Sequence, residues 1–113
     1  MLLVKPPFGV STPEAYRRWK DSREVPGLPY AAQQTPCGEL VNDLERPVFE
    51  KYPVLGTLKS RLLQSKGVSA ALMSGSGSTV FAVLEDGADA AAAIAAAQEE
   101  IGGGIWCCTT VLK

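Results

Sequence analysis

Short apolar runs alternate with longer mixed stretches along the chain, and each local period predicts its own element. Leu2-Leu3-Val4 is compact enough for a buried strand, and Pro6-Pro7 ends it because proline cannot continue a sheet ladder. Phe8-Gly9-Val10 reads as a turn. Ser11 followed by Glu14 is a capping-box pattern and Pro13 suits a first helical turn, so a helix is predicted from Thr12 to Lys20. Ala15 and Trp19 fall one turn apart on it, with Tyr16 beside them. Periodicity then vanishes from Asp21 to Leu40, where Pro26, Gly27, Pro29, Pro36 and Gly38 mark a long irregular connection.

Helical spacing returns near Leu44. Leu44, Val48, Tyr52, Leu55, Leu58 and Leu62 form a stripe at three- and four-residue steps, with Asn42 or Asp43 as the cap. Pro47 and Pro53 either break this stretch in two or occupy the first turns of successive helices. Glu50, Lys51, Lys59, Arg61 and Lys66 are expected to be mostly solvated charges, and Gly67 to close the helix. Two apolar runs, Ser69 to Met73 and Thr79 to Leu84, flank a glycine- and serine-rich segment and predict a hairpin. The alanine-rich run from Ala88 to Ile101 predicts a helix starting near Asp86, with Ile94 and Ile101 on its buried side. Gly102-Gly103-Gly104 ends it, and Ile105 to Leu112 has the β-branched content of a last strand. The resulting order is β-α-(loop)-α-β-β-α-β. It predicts an α+β fold of the ferredoxin-like, split βαβ kind: an antiparallel sheet with helices packed on one face and an inserted helix and loop.

Composition narrows the function. The chain has 113 residues, 46% hydrophobic and 20% charged, which predicts one ordinary globular domain spanning residues 1–113. A net charge of −1 with scattered Lys and Arg argues against a nucleic-acid partner. No apolar run approaches a bilayer span or a signal-peptide core, so no membrane partner is expected and the expected location is cytoplasmic. Cys107 and Cys108 are adjacent, on opposite faces of a strand, and Cys37 is isolated; with no histidine, neither a metal site nor a His-activated nucleophile is expected.

The candidate chemistry sits in the hairpin loop. Ser74, Gly75, Ser76, Gly77, Ser78 and Thr79 make a turn whose N–H groups can form a small anion-binding concavity. A Walker-type loop is excluded because no lysine lies between Gly67 and Leu84, and a dinucleotide fingerprint is excluded because Val80 holds the third glycine position. On its own the loop reads first as a plain hairpin connection.

Three segments in order make the chain recognisable. They are Lys5-Pro6-Pro7-Phe8-Gly9-Val10-Ser11-Thr12-Pro13-Glu14-Ala15-Tyr16, then Val41-Asn42-Asp43-Leu44-Glu45, then Ala71-Leu72-Met73-Ser74-Gly75-Ser76-Gly77-Ser78-Thr79-Val80-Phe81. Together they resemble the C-terminal half of GHMP kinases, and most of all the branch acting on 4-diphosphocytidyl-2-C-methyl-D-erythritol in non-mevalonate isoprenoid synthesis. The resemblance implies a ferredoxin-like fold and a glycine loop facing the cleft between two domains. It also implies a substrate-binding segment at Thr12, Pro13 and Tyr16, where the family sets an aromatic ring against cytosine. For the complete enzyme it implies ATP and Mg2+. The Pro-x-x-x-Gly-Leu-Gly-Ser-Ser-Ala-like loop and the catalytic aspartate and lysine of that family are not in this chain. No catalytic residue is therefore assigned, no cofactor is expected on this chain alone, and an N-terminal domain is the expected partner. An apolar face beside the loop would then favour self-association. The alternative is a free-standing ferredoxin-like module that binds a small ligand or a protein without catalysis.

Overall fold

A computed structural model describes residues 2–7, 9–10, 12–30, 32–35, 38–74, 78–85, 90–102 and 106–109, with the backbone alone for Thr12, Trp106, Cys108 and Thr109. Its elements are β1 (Leu2–Lys5), α1 (Thr12–Trp19), β2 (Gln33–Thr35), β3 (Gly38–Leu40), α2 (Glu45–Lys51), α3 (Pro53–Gln64), β4 (Val68–Met73), β5 (Val80–Leu84), α4 (Ala91–Ile101) and β6 (Trp106–Thr109). The architecture is α+β. A four-stranded antiparallel sheet has the order β4-β5-β1-β6, and β2 and β3 form a separate two-stranded ribbon.

Alternation decides which residues the sheet buries. Leu2 lies opposite Ala82 and Val4 opposite Val80, while Ala71 lies opposite Ala82, so these side chains share one face. α3 and α4 cover that face through Leu58, Leu62, Ala93 and Ala97, all fully buried. On α4 the fully buried positions are alanines, whereas Ile94 and Ile101 are half-buried at the margin of the core. Small residues let the helix approach α3 closely, and Arg61 ties the pair on the outside by ion pairs to Glu99 and Glu100.

A second cluster gathers Ala15, Val48, Phe49, Leu55 and Met73, fastening α1 and α2 to the far end of β4. Pro47 sits in the first turn of α2 and Pro53 at the start of α3, positions where a missing N–H costs no helical bond. Gly56 faces Leu28 and Phe49, and a Cβ there would collide with Leu28. α3 ends at Gln64, and Gly67, at φ +85°, makes the turn into β4.

Three expectations need correction. The connection from Asp21 to Leu40 is not wholly irregular, because it holds the β2–β3 ribbon. Lys59 is not solvated; it is completely buried, whereas Lys51 and Lys66 are exposed. The residue flanking α2 is Leu44, which makes no side-chain cap, and Asn42 instead closes the preceding turn by accepting the Leu44 N–H at 3.0 Å. The capping box at Ser11 and the helix start at Asp86 lie outside the described residues.

Candidate ligand-binding surface

The glycine-rich loop begins where β4 leaves the second cluster. Ser74 N–H donates to the Thr79 carbonyl at 2.8 Å and closes the neck of the hairpin. Ser74 is exposed, Thr79 half-buried and Ser78 buried; Gly75, Ser76 and Gly77 lie outside the described residues. Ser78 and Thr79 share an open groove of about 590 Å³ with Lys5, Pro6, Pro7, Gly9 and Val10. One ammonium and two hydroxyls suit an anion. The described lining carries no carboxylate, and its one charged group is the Lys5 ammonium.

The second half of the surface is carried by α1. Ala15 turns inward, while Tyr16 (65% exposed) and Trp19 (42%) turn out, so the predicted apolar face of this helix is split. With Val41 (50%), Asn42, Asp43 and Leu44 they line an open groove of about 460 Å³. Tyr16, Trp19 and Val41 are the large hydrophobic side chains exposed among the described residues, and their convergence on one groove is what a ligand surface looks like. Arg46 holds the Trp19 region in place. Its guanidinium carbon lies 4.9 Å from the indole centroid, its Nη2 donates to the Trp19 carbonyl at 2.8 Å, and its Nε donates to Ser22 Oγ at 3.0 Å. Pro13 is exposed at the start of α1, and Thr12 is placed by its backbone only. Val10 of the first groove and Leu44 of the second both pack on the cluster that contains Ala15.

Charges brace α1 against α2. Lys51 donates to Glu14, and Arg18 pairs with Glu14 at 3.7 Å and with Glu50 at 3.3 Å. The Lys51 hydrogen bond holds the Glu14 carboxyl below the usual carboxylate range and raises Lys51 in return. The Arg23 N–H, at 3.0 Å, does the same for Glu50, helped by Arg18.

Sequence reasoning missed a buried ion pair beneath this surface. Lys59 Nζ donates to Glu45 Oε1 at 2.7 Å and to the Pro29 carbonyl at 2.6 Å, while Glu45 Oε2 accepts the Met73 N–H at 2.9 Å. Both side chains are 1% exposed. Burial pushes the Glu45 carboxyl up, against the lowering effect of Lys59 and of the Met73 N–H. A signal was present: Lys59 stands four residues after Leu55 and three before Leu62, on the apolar stripe itself. Elsewhere, Cys107 is a free, half-buried thiol raised by burial, and no cluster of His, Cys, Asp or Glu suited to a metal occurs among the described residues. No described helix is long and apolar enough to cross a membrane.

Residues 32–102 match the family model described as GHMP kinases C terminal. The 4-diphosphocytidyl-2-C-methyl-D-erythritol kinase of Rhizobium etli is 41% identical over 102 residues, covering 88% of this chain and 34% of that protein. The kinase of the same name from Geotalea daltonii is 37% identical over 95 residues (80% and 33%), and that of Thermodesulfovibrio yellowstonii 33% over 121 residues (95% and 40%). The chain thus spans between a third and two-fifths of the length of these relatives. No solved structure matches it. Matched by the family model over more than half of its residues, the chain belongs to the GHMP kinase family, where it corresponds to the C-terminal part.

Proposed function

We propose that residues 1–113 form a single domain that supplies the substrate side of an ATP-dependent kinase acting on 4-diphosphocytidyl-2-C-methyl-D-erythritol. The observation that carries this reading is the exposure of Tyr16, on the very segment that resembles the family's cytosine side, at a groove it shares with Trp19. The strand order β4-β5-β1-β6, antiparallel throughout, supports a ferredoxin-like arrangement, since two split βαβ units joined by a hairpin generate it.

In this reading each half of the surface has its own task. Tyr16 stacks on the pyrimidine, a contact worth ~1–3 kcal/mol, and Pro13 and Thr12 border it. The groove at Lys5, Ser78 and Thr79, beside the glycine-rich loop, receives phosphate oxygens. ATP, Mg2+ and the catalytic groups belong to an N-terminal domain of the complete enzyme. Phosphoryl transfer needs clamping and positioning from both sides, so this chain orients substrate and excludes water without turning it over.

Turnover assays test the division of labour. Purified chain given ATP, Mg2+ and 4-diphosphocytidyl-2-C-methyl-D-erythritol is expected to form no phosphorylated product. With the N-terminal part of a relative such as the Rhizobium etli kinase added, and association shown, product is expected. Robust turnover by the chain alone contradicts the division, and an associated but inactive pair contradicts the substrate.

A further inference from the structure

β4 is the outer strand of its sheet, so half of its backbone groups have no strand to pair with. At alternate residues those groups are taken by side chains. Gln33 bonds Ala71 twice, accepting its N–H at 3.0 Å and donating to its carbonyl at 2.6 Å. Two residues on, Glu45 accepts the Met73 N–H at 2.9 Å and Asn42 Nδ2 donates to the Met73 carbonyl at 2.8 Å. The spacing is that of an antiparallel ladder, with side chains standing in for the missing strand.

The last of these rungs falls at the root of the glycine-rich loop. The peptide joining Met73 to Ser74 is pinned on both edges, its carbonyl by Asn42 and its N–H by Thr79. The peptide before it is pinned by Glu45, which Lys59 holds in turn and which Pro29 helps to anchor through Lys59. Desolvating a carboxylate and an ammonium costs several kcal/mol, and an apolar pair of equal volume usually serves stability as well or better. What an apolar pair lacks is a directed acceptor for Met73.

We propose that Glu45 and Asn42 are positioning residues that clamp the Met73 backbone and so fix Ser74, the root of the glycine-rich loop, for ligand, with Lys59 aiming the Glu45 carboxylate. The clamp stands on geometry alone; only its value to a phosphate-facing loop rests on the kinase reading.

Two double variants isolate the hydrogen bond from the charge. Glu45→Gln with Lys59→Met keeps a carbonyl for Met73, and Glu45→Leu with Lys59→Met removes it while leaving neither variant with a buried charge. Site-resolved amide exchange in the full chain is the readout, beside urea unfolding for global stability. Met73 and Ser74 amides are expected to exchange at least about tenfold faster in the leucine variant than in the glutamine variant, with Leu2, Val4 and Ala82 unchanged relative to global stability. If the leucine variant fails to fold, Asn42→Asp takes its place. It keeps the acceptor for Leu44 but loses the donor to Met73, and the same rise at Ser74 is expected. Equal Met73 and Ser74 exchange in the two double variants, or an unchanged Ser74 in Asn42→Asp, overturns the clamp. Exchange needs no ligand, so a failed turnover assay with the clamp intact refutes the kinase reading alone.

Discussion

α3 divides the molecule into two sides built on different physics. Toward the sheet it presents Leu58 and Leu62 to Leu2, Val4, Ala71, Val80, Ala82, Ala93 and Ala97, an apolar core. Toward α1 and α2 it presents Leu55 to a smaller cluster and Lys59 to Glu45. The first side needs only area removed from water, which is non-directional and tolerant of small shifts. The second must fix an irregular connection and a loop root, and it does so with bonds of defined direction from Gln33, Asn42 and Glu45. The candidate groove at Tyr16 and Trp19 lies on the second side, where its Leu44 packs on the smaller cluster. An apolar core and a directed hydrogen-bond cluster thus meet on one helix, with neighbouring residues 58 and 59 turned to opposite sides.

That pair of neighbours gives the largest expected effects. Lys59→Met leaves Glu45 buried without its cation, and unfolding in urea near neutral pH should show a loss of ~3–5 kcal/mol. Burial already raises Glu45 above its unfolded value, and removing Lys59 takes away an opposing effect. The penalty therefore appears as pH rises through the ordinary carboxylate range and is smallest in acid, where Glu45 is protonated in both states. Leu58→Ala should cost ~2–5 kcal/mol by leaving a cavity, and its deficit should be the same at both pH values because no titratable group is involved. A pH-independent Lys59→Met deficit would erase the distinction between the two sides.

The smallest effect concerns the braces on α1. Glu14 and Glu50 have lowered values in the fold, so their contribution is present above the unfolded value and is lost as pH falls through the folded one. Both are surface pairs, so the change should be slight and should shrink further in high salt. Acid titration of Glu14→Gln against the parent chain, at low and high salt, checks it.

What the sequence made legible follows the same division. Strands β1, β4 and β5 are apolar patterns legible to within a residue of their observed bounds. The leucine stripe and the alanine run mark α3 and α4, but the stripe leaves the break between α2 and α3 open and the run predicts a start near Asp86, outside the described residues. β2 and β3 were missed because Gln33-Gln34-Thr35 and Gly38-Glu39-Leu40 carry neither alternation nor β-branched apolar residues; β2 is further held in place by the long-range bonds from Gln33 to Ala71. Gln33 carries no local mark of that role. Lys59 was readable from its place on the stripe, but a single lysine is ordinarily solvated, and its partner Glu45 is in another helix. Asn42 reads from sequence as a candidate cap and does close a turn, while its second bond, to Met73, depends on the tertiary fold. Exposure of Tyr16 and Trp19 could not be told from burial by spacing alone, since Ala15 on the same helix is buried.

On the proposed function, ligand binds at the α1 groove and beside the glycine-rich loop. Amide chemical-shift mapping with 4-diphosphocytidyl-2-C-methyl-D-erythritol, in the full chain without ATP, tests it most directly. The predicted result is a set of saturable shifts at Tyr16, Trp19 and residues 41–44 and a second set at Ser74, Ser78 and Thr79, with α4 silent and the first set lost in Tyr16→Ala. Shifts centred on α4, or none at millimolar ligand, would contradict it.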